Sequence, residues 1–210
     1  MIRKLLVVAA AVAIPVSVVA VTGVTAGAAK GPSPATDTAV CSGISGTVNF
    51  STPLTTNGST SATETTTVNA TLTGCSATGG VPVSLTGGTV TGSFAGKPGS
   101  AKHPSATCGG LLGATKEKGT VSVTWNSTPA VPGTTIALKS ATGGVSGTQA
   151  SFSLSGKYKG SFGGSDKGKT SATQARTVES VGTLSGECGG AGISTIHLTG
   201  PASGNALTLQ

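Results

Sequence analysis

Hydrophobic and polar positions alternate with a period of two in short runs spread along the chain. Val68, Ala70 and Leu72 alternate with Asn69 and Thr71, and Val121, Val123 and Trp125 alternate with Ser122 and Thr124. Shorter runs of the same kind occur at Val81, Val83, Leu85, at Ile136, Leu138, at Phe152, Leu154 and at Ile196, Leu198. One apolar and one polar face at this period predict half-buried antiparallel strands. No long helical periodicity follows the apolar opening segment. Turn signals fall at Asn57-Gly58, Gly79-Gly80, Gly87-Gly88, Gly143-Gly144 and Gly189-Gly190, because these residues accept positive φ. The expected fold class is all-β, an antiparallel β-sandwich or barrel of about eight to ten short strands.

The strand pattern is written twice. GTVNFSTP (Gly46 to Pro53) returns as GTVSVTWNSTP (Gly119 to Pro129), and SATGGV (Ser76 to Val81) returns unchanged at Ser140 to Val145. SLTG followed by GSFAG (Ser84 to Gly87, Gly92 to Gly96) returns as SLSG followed by GSFGG (Ser153 to Gly156, Gly160 to Gly164). Short matches are common in a chain rich in Gly, Thr and Ser, but their order is kept, and Phe94 and Phe162 fall at the same place in a chain with only 4 Phe. The reading is a tandem internal duplication, with copy one at about 41–100 and copy two at about 108–200. After the second copy, Cys188-Gly189-Gly190 echoes Cys108-Gly109-Gly110, and the segment from Thr177 to Leu198 is expected to add closing strands. Leu54 to Thr67 has no counterpart of similar length and reads as a polar, mobile surface loop.

The opening segment has the three-part layout of a secretory signal peptide: basic Arg3 and Lys4, apolar Leu5 to Val21, and a small-residue exit with an A-x-A pattern at Ala26-Gly27-Ala28. Residues 1–28 are therefore expected to be removed near Ala28, leaving a flexible segment at 29–40 and a single β domain at 41–210. Pro15 and the exit sequence argue against an uncleaved anchor. The Ala/Val-rich leader has a bacterial character. Asn-X-Ser/Thr triplets at Asn49, Asn57, Asn69 and Asn126 are expected by chance in this composition.

Formal net charge is +7, and loss of Arg3 and Lys4 with the leader gives +5. Mild basicity on an exported chain favours anionic cell-wall polymers or membrane surfaces as partners. Nucleic acid is disfavoured because Arg and base-stacking aromatic residues are scarce. Charged residues make up only 9% of the chain, so its surface must be built from Thr, Ser and Gly. The β-branched alternation distinguishes it from a disordered chain of similar composition.

Cys41, Cys75, Cys108 and Cys188 in an exported chain are expected to form two disulfides. Pairing Cys41 with Cys75 and Cys108 with Cys188 opens and closes each loop within one copy. By the chain-entropy model such loops contribute about 3.8 and about 4.5 kcal/mol. A metal site at Cys108, Cys188, His103 and His197 is disfavoured, because the short ligand spacings of structural zinc sites are absent.

Catalytic candidates are sparse. The acids are Asp37, Glu64, Glu117, Asp166, Glu179 and Glu187, and the histidines are His103 and His197. Glu179 and Glu187, placed on one extended path, would lie about 26 Å apart, too far for paired-carboxylate chemistry. No G-x-S-x-G elbow occurs, and the parity of His197 puts it on the polar face of a strand. Trp125, the single Trp, shares parity with Val121 and Val123 and is expected in the core, as is Phe50. Lys157 and Lys159 flank Tyr158 and share one strand face, with Lys167 and Lys169 in the loop that follows. They form a candidate contact for an anionic polymer, or they guard an exposed edge strand against aggregation.

The chain is therefore expected to be a secreted, noncatalytic β protein acting through surface contacts at the cell envelope or outside the cell, with no cofactor and no metal. A binding module for cell-wall carbohydrate or anionic polymer is the first alternative, and a hydrolase with an unrecognised site is the second.

Overall fold

The computed structural model describes residues 38–78, 83–112, 114–115, 119–160, 162 and 170–210. The leader, Asp37, the Gly79-Gly80 turn, Glu117, Asp166, Lys167 and Lys169 lie outside the described residues. The described elements are β1 (Thr38–Leu54), β2 (Thr63–Thr78), β3 (Ser84–Pro98), a 3-10 turn (Cys108–Leu112), β4 (Ala114–Thr115), β5 (Gly119–Thr128), β6 (Thr134–Ser146), β7 (Gln149–Gly160), β8 (Thr170–Ser180), α1 (Val181–Gly189), β9 (Ile193–Thr199) and β10 (Leu207–Leu209). The protein is nearly all antiparallel β with one short helix, and β1, β2 and β3 are far longer than the short strands expected. The first strand begins at Thr38, so the end of the segment predicted to be flexible already pairs with β2, Thr38 opposite Thr78.

Strands neighbour one another in the order β1-β2-β3-β5-β6-β7-β8, each antiparallel to the next. The ladder then returns to its start. β9 pairs with both β8 and β1, through Thr177 opposite Leu198 and Val48 opposite Ile196. β10 does the same one stage along, through Leu207 opposite Thr173 and Cys41 opposite Leu207. The two short strands thus share one position between β8 and β1. The segment that follows α1 supplies both.

The repeated segments occupy matching stations: GTV in β1 and β5, SAT in β2 and β6, and SL(T/S)G in β3 and β7. Each set spans three strands, an odd number, so successive antiparallel pairing makes the second set run opposite to the first. Phe94 therefore sits at the end where β5 begins, opposite Gly119, while Phe162 follows the far end of β7.

Several local readings are corrected. Gly87-Gly88 and Gly143-Gly144 are not turns but lie inside β3 and β6. A Cβ at Gly88 would stand 2.9 Å from the Thr124 carbonyl oxygen and 3.2 Å from the Trp125 ring, so glycine there admits close strand approach. The β6–β7 turn instead uses Gly147, at φ +62°. Residues 181–189 form a helix. Ser180 caps it by accepting from the Thr183 N–H at 3.0 Å, and Leu184 and Cys188, four apart, face inward. Glu179 and Glu187 hence do not share an extended path. Glycines at 182, 186 and 189 hid this helix from propensity.

The loop after Leu54 is shorter than expected, since Thr63 to Thr67 belongs to β2, and it is tied down. Thr55 donates its N–H to Ala106 and accepts from the Cys108 N–H, while Ser59 and Ser105 exchange backbone bonds at 2.7 and 2.8 Å.

Candidate functional site: an apolar cavity

At one end of the closed ladder, where β5 finishes and β6 begins, aromatic residues fill the interior. The Trp125 Nε1–H donates to Thr134 Oγ1 at 2.8 Å, and the Phe162 ring meets the indole edge-on with centroids 5.1 Å apart. Tyr158, 2% exposed, donates its hydroxyl to the Phe162 carbonyl at 2.7 Å. Cys41 and Cys75 face each other across β1 and β2 at the same end and form a buried disulfide.

The other end is covered by elements that are not strands. Cys108 on the 3-10 turn is bonded to Cys188 on α1, so the two disulfides join Cys41 with Cys75 and Cys108 with Cys188, the pairing expected. Leu184, Cys188, Ile193, Ala150, Leu54 and Ala106 are buried together beneath this cover, with Phe50, Phe152 and Leu111 partly buried against them.

Between the two ends lies a cavity of about 160 Å³. Inward side chains of β1, β2, β3 and β5 to β10 reach it. Among them are Val48 and Phe50 of β1, Val68 of β2, Val90 and Phe94 of β3, Val121 and Val123 of β5, Leu138 of β6, Phe152 and Leu154 of β7, Ala175 of β8 and Ile196 of β9. No charged residue is among the described residues of its lining, and Thr66, Thr142 and Thr173 are the only hydroxyl-bearing ones. A second cavity of about 290 Å³ lies under the cover, between Cys108 and Gly109 on one side and Val181, Leu184, Ser185 and Cys188 on the other. Leu111 lines both cavities.

Outside, the polar positions of the alternation face solvent. Lys157 and Lys159 are exposed on β7, and Tyr158 between them points inward. Lys139 of β6 is exposed nearby. The edge-guard reading does not hold, because β7 is paired on both sides, with Lys157 opposite Ala137 of β6 and Thr170 of β8.

The histidines lie on the surface, His103 in the loop before the 3-10 turn and His197 on β9. His197, its side chain 59% exposed, meets Glu179 through Nδ1 at 2.5 Å. Its backbone N–H reaches both carboxylate oxygens at 3.2 Å. Burial works to raise the Glu179 pKa, but the His197 side-chain hydrogen bond, the backbone N–H donors and the His197 charge prevail and hold it below the ordinary 4.5. Glu64 accepts the backbone N–H groups of Ser51 and Thr52, each at 3.1 Å, and so ties β2 to the end of β1. Among the described residues, no group of three or more His, Cys, Asp and Glu could hold a metal ion.

No family model, curated protein or solved structure matches the chain.

Sequence reasoning placed the inward residues correctly but treated them as core filler. The overlooked signal was size. With 34 Gly, 1 Trp, 1 Tyr and 4 Phe, the chain has few aromatic side chains, and the inward Leu, Ile, Val and Phe leave the middle of the ladder unfilled.

Proposed function

We propose that this is an exported, noncatalytic carrier whose closed ladder is a β-barrel, built from a duplicated three-strand unit, that holds one small apolar molecule inside. The observation that carries this reading is the cavity of about 160 Å³ lined by apolar side chains from around the ladder. Closed circuits of about eight strands are wide enough for one small ligand, and an apolar cavity of about 150 Å³ takes up benzene or xenon. Export is supported by the leader pattern and by the two disulfides, which indicate an oxidising, extracellular-type environment. No described helix is long and apolar enough to cross a membrane. The strands carry their apolar positions inward and Thr, Ser and Lys outward, the reverse of a lipid-facing barrel.

The test is titration calorimetry with benzene on the disulfide-bonded protein, repeated with Ala175→Leu and Val90→Met, which fill the cavity. Saturable 1:1 binding by the wild type, lost in folded filled variants, is expected. Absence of binding to the wild type, or undiminished binding to the filled variants, rejects the carrier.

A second reading is favoured by one observation: Lys139, Lys157 and Lys159 are exposed on neighbouring strands, and among the described residues Lys157 and Lys159 pair with no acidic residue. This patch, with Lys167 and Lys169, would anchor the carrier to an anionic cell-wall polymer or membrane surface. Equal retention on purified cell wall of the wild type and of a variant with all five lysines changed to Gln would remove it.

A further inference from the structure

Resting on the carrier reading, we infer that the molecule held in the cavity is uncharged and ring-sized and bears a hydroxyl or carbonyl group. Exclusion of charge follows from the walls. No lining residue among those described is ionisable, and placing an ion against apolar walls without a partner costs many kcal/mol. The polar group follows from two threonines. Thr66 on β2 pairs with Phe50 and Phe94, and Thr173 on β8 pairs with Leu154 and Leu207. Both stand on the inward parity of their strands, Thr66 with Val68, Ala70 and Leu72, and Thr173 with Ser171, Ala175 and Thr177. Valine would fill either place with the same shape and no polar atom. Yet among the described residues neither hydroxyl has a hydrogen-bond partner.

A half-buried hydroxyl without a protein partner needs water or a ligand atom. A ligand hydroxyl or carbonyl satisfies it, whereas a pure hydrocarbon leaves it unmet. Thr142, the third lining hydroxyl, is exposed and can be served by solvent.

The test compares benzene, phenol and benzoate by titration calorimetry at neutral pH, on wild type, Thr66→Val, Thr173→Val and the double variant. Val is nearly isosteric with Thr, and thermal unfolding confirms that each variant folds. Phenol should bind wild type about three- to tenfold more tightly than benzene. That preference should vanish in at least one single variant and in the double variant, while benzene binds all four proteins alike or better. Benzoate should not bind measurably. Failure of both benzene and phenol to bind the wild type rejects the carrier itself. Benzene binding without a preference for phenol, a preference that survives the double variant, or benzoate binding as tight as phenol overturns the ligand class alone.

Discussion

Phe94 of β3 lies opposite Gly119 of β5 and covers it so closely that a Cβ on Gly119 would stand 2.0 Å from the Phe94 ring. The glycine leaves the space that the ring fills, and the ring in turn forms part of the cavity wall. Gly119→Ala is expected to destabilise the protein by about 1–3 kcal/mol through overpacking. In a Phe94→Leu background the same change should cost much less. Urea midpoints for the two singles and the double give the coupling, and additive values would show that the ring and the glycine do not depend on each other.

Replacing Cys108 and Cys188 together by Ser should lower stability by about 2–5 kcal/mol, because a long loop is released. It should also speed release of benzene, since this bond ties the 3-10 turn to the helix under which Leu111 borders both cavities. The corresponding Cys41 and Cys75 pair of changes should lower stability while leaving release unchanged, because that bond lies at the end filled by Trp125, Tyr158 and Phe162. Denaturation curves and stopped-flow displacement separate the two effects.

Thr134→Val removes the acceptor of the Trp125 indole N–H in a buried setting. A loss of about 1–3 kcal/mol is expected from the unsatisfied donor. Trp125 is the only Trp, so its emission reports on this end directly, and an unchanged midpoint in fluorescence-monitored unfolding would contradict the assignment.

Glu179 has a folded pKa below its ordinary 4.5, so its contribution to stability is complete above that value and is lost as pH falls through the lowered folded value. Wild type should therefore exceed Glu179→Gln in stability near neutrality, and the gap should shrink as pH drops below 4.5. Urea midpoints between neutral and acid pH measure it. A gap that does not change with pH would show that the carboxylate is not what holds β8 to β9 there.

Strand identity was legible where alternation was strong. Val121, Val123 and Trp125, predicted to share a face, are all buried. Ile196 and Leu198 are buried likewise, and His197 between them is exposed. Helix α1 was illegible because its stability comes from a Ser180 cap, two inward residues and a disulfide, not from propensity. The tied loop at Thr55 to Ser59 was illegible because its partners, Ser105 to Cys108, are distant in sequence.

The residues by themselves determined which positions face inward, because a period of two leaves one choice of face wherever one side is apolar. Composition and the placing of four cysteines likewise set the expectation of a disulfide-bonded all-β chain. Tertiary structure decided how the sheet ends meet. Two short strands, β9 and β10, together fill the one position left between β8 and β1 and return the ladder to its start. It also decided where the repeated residues stand, since three strands per set reverse the second set and send Phe94 and Phe162 to opposite ends. The cavity follows from both facts. Whether the inward Leu, Ile, Val and Phe make a packed core or a hollow depends on the width of the circuit that they line, and that width is a property of the assembled strands, not of any one of them.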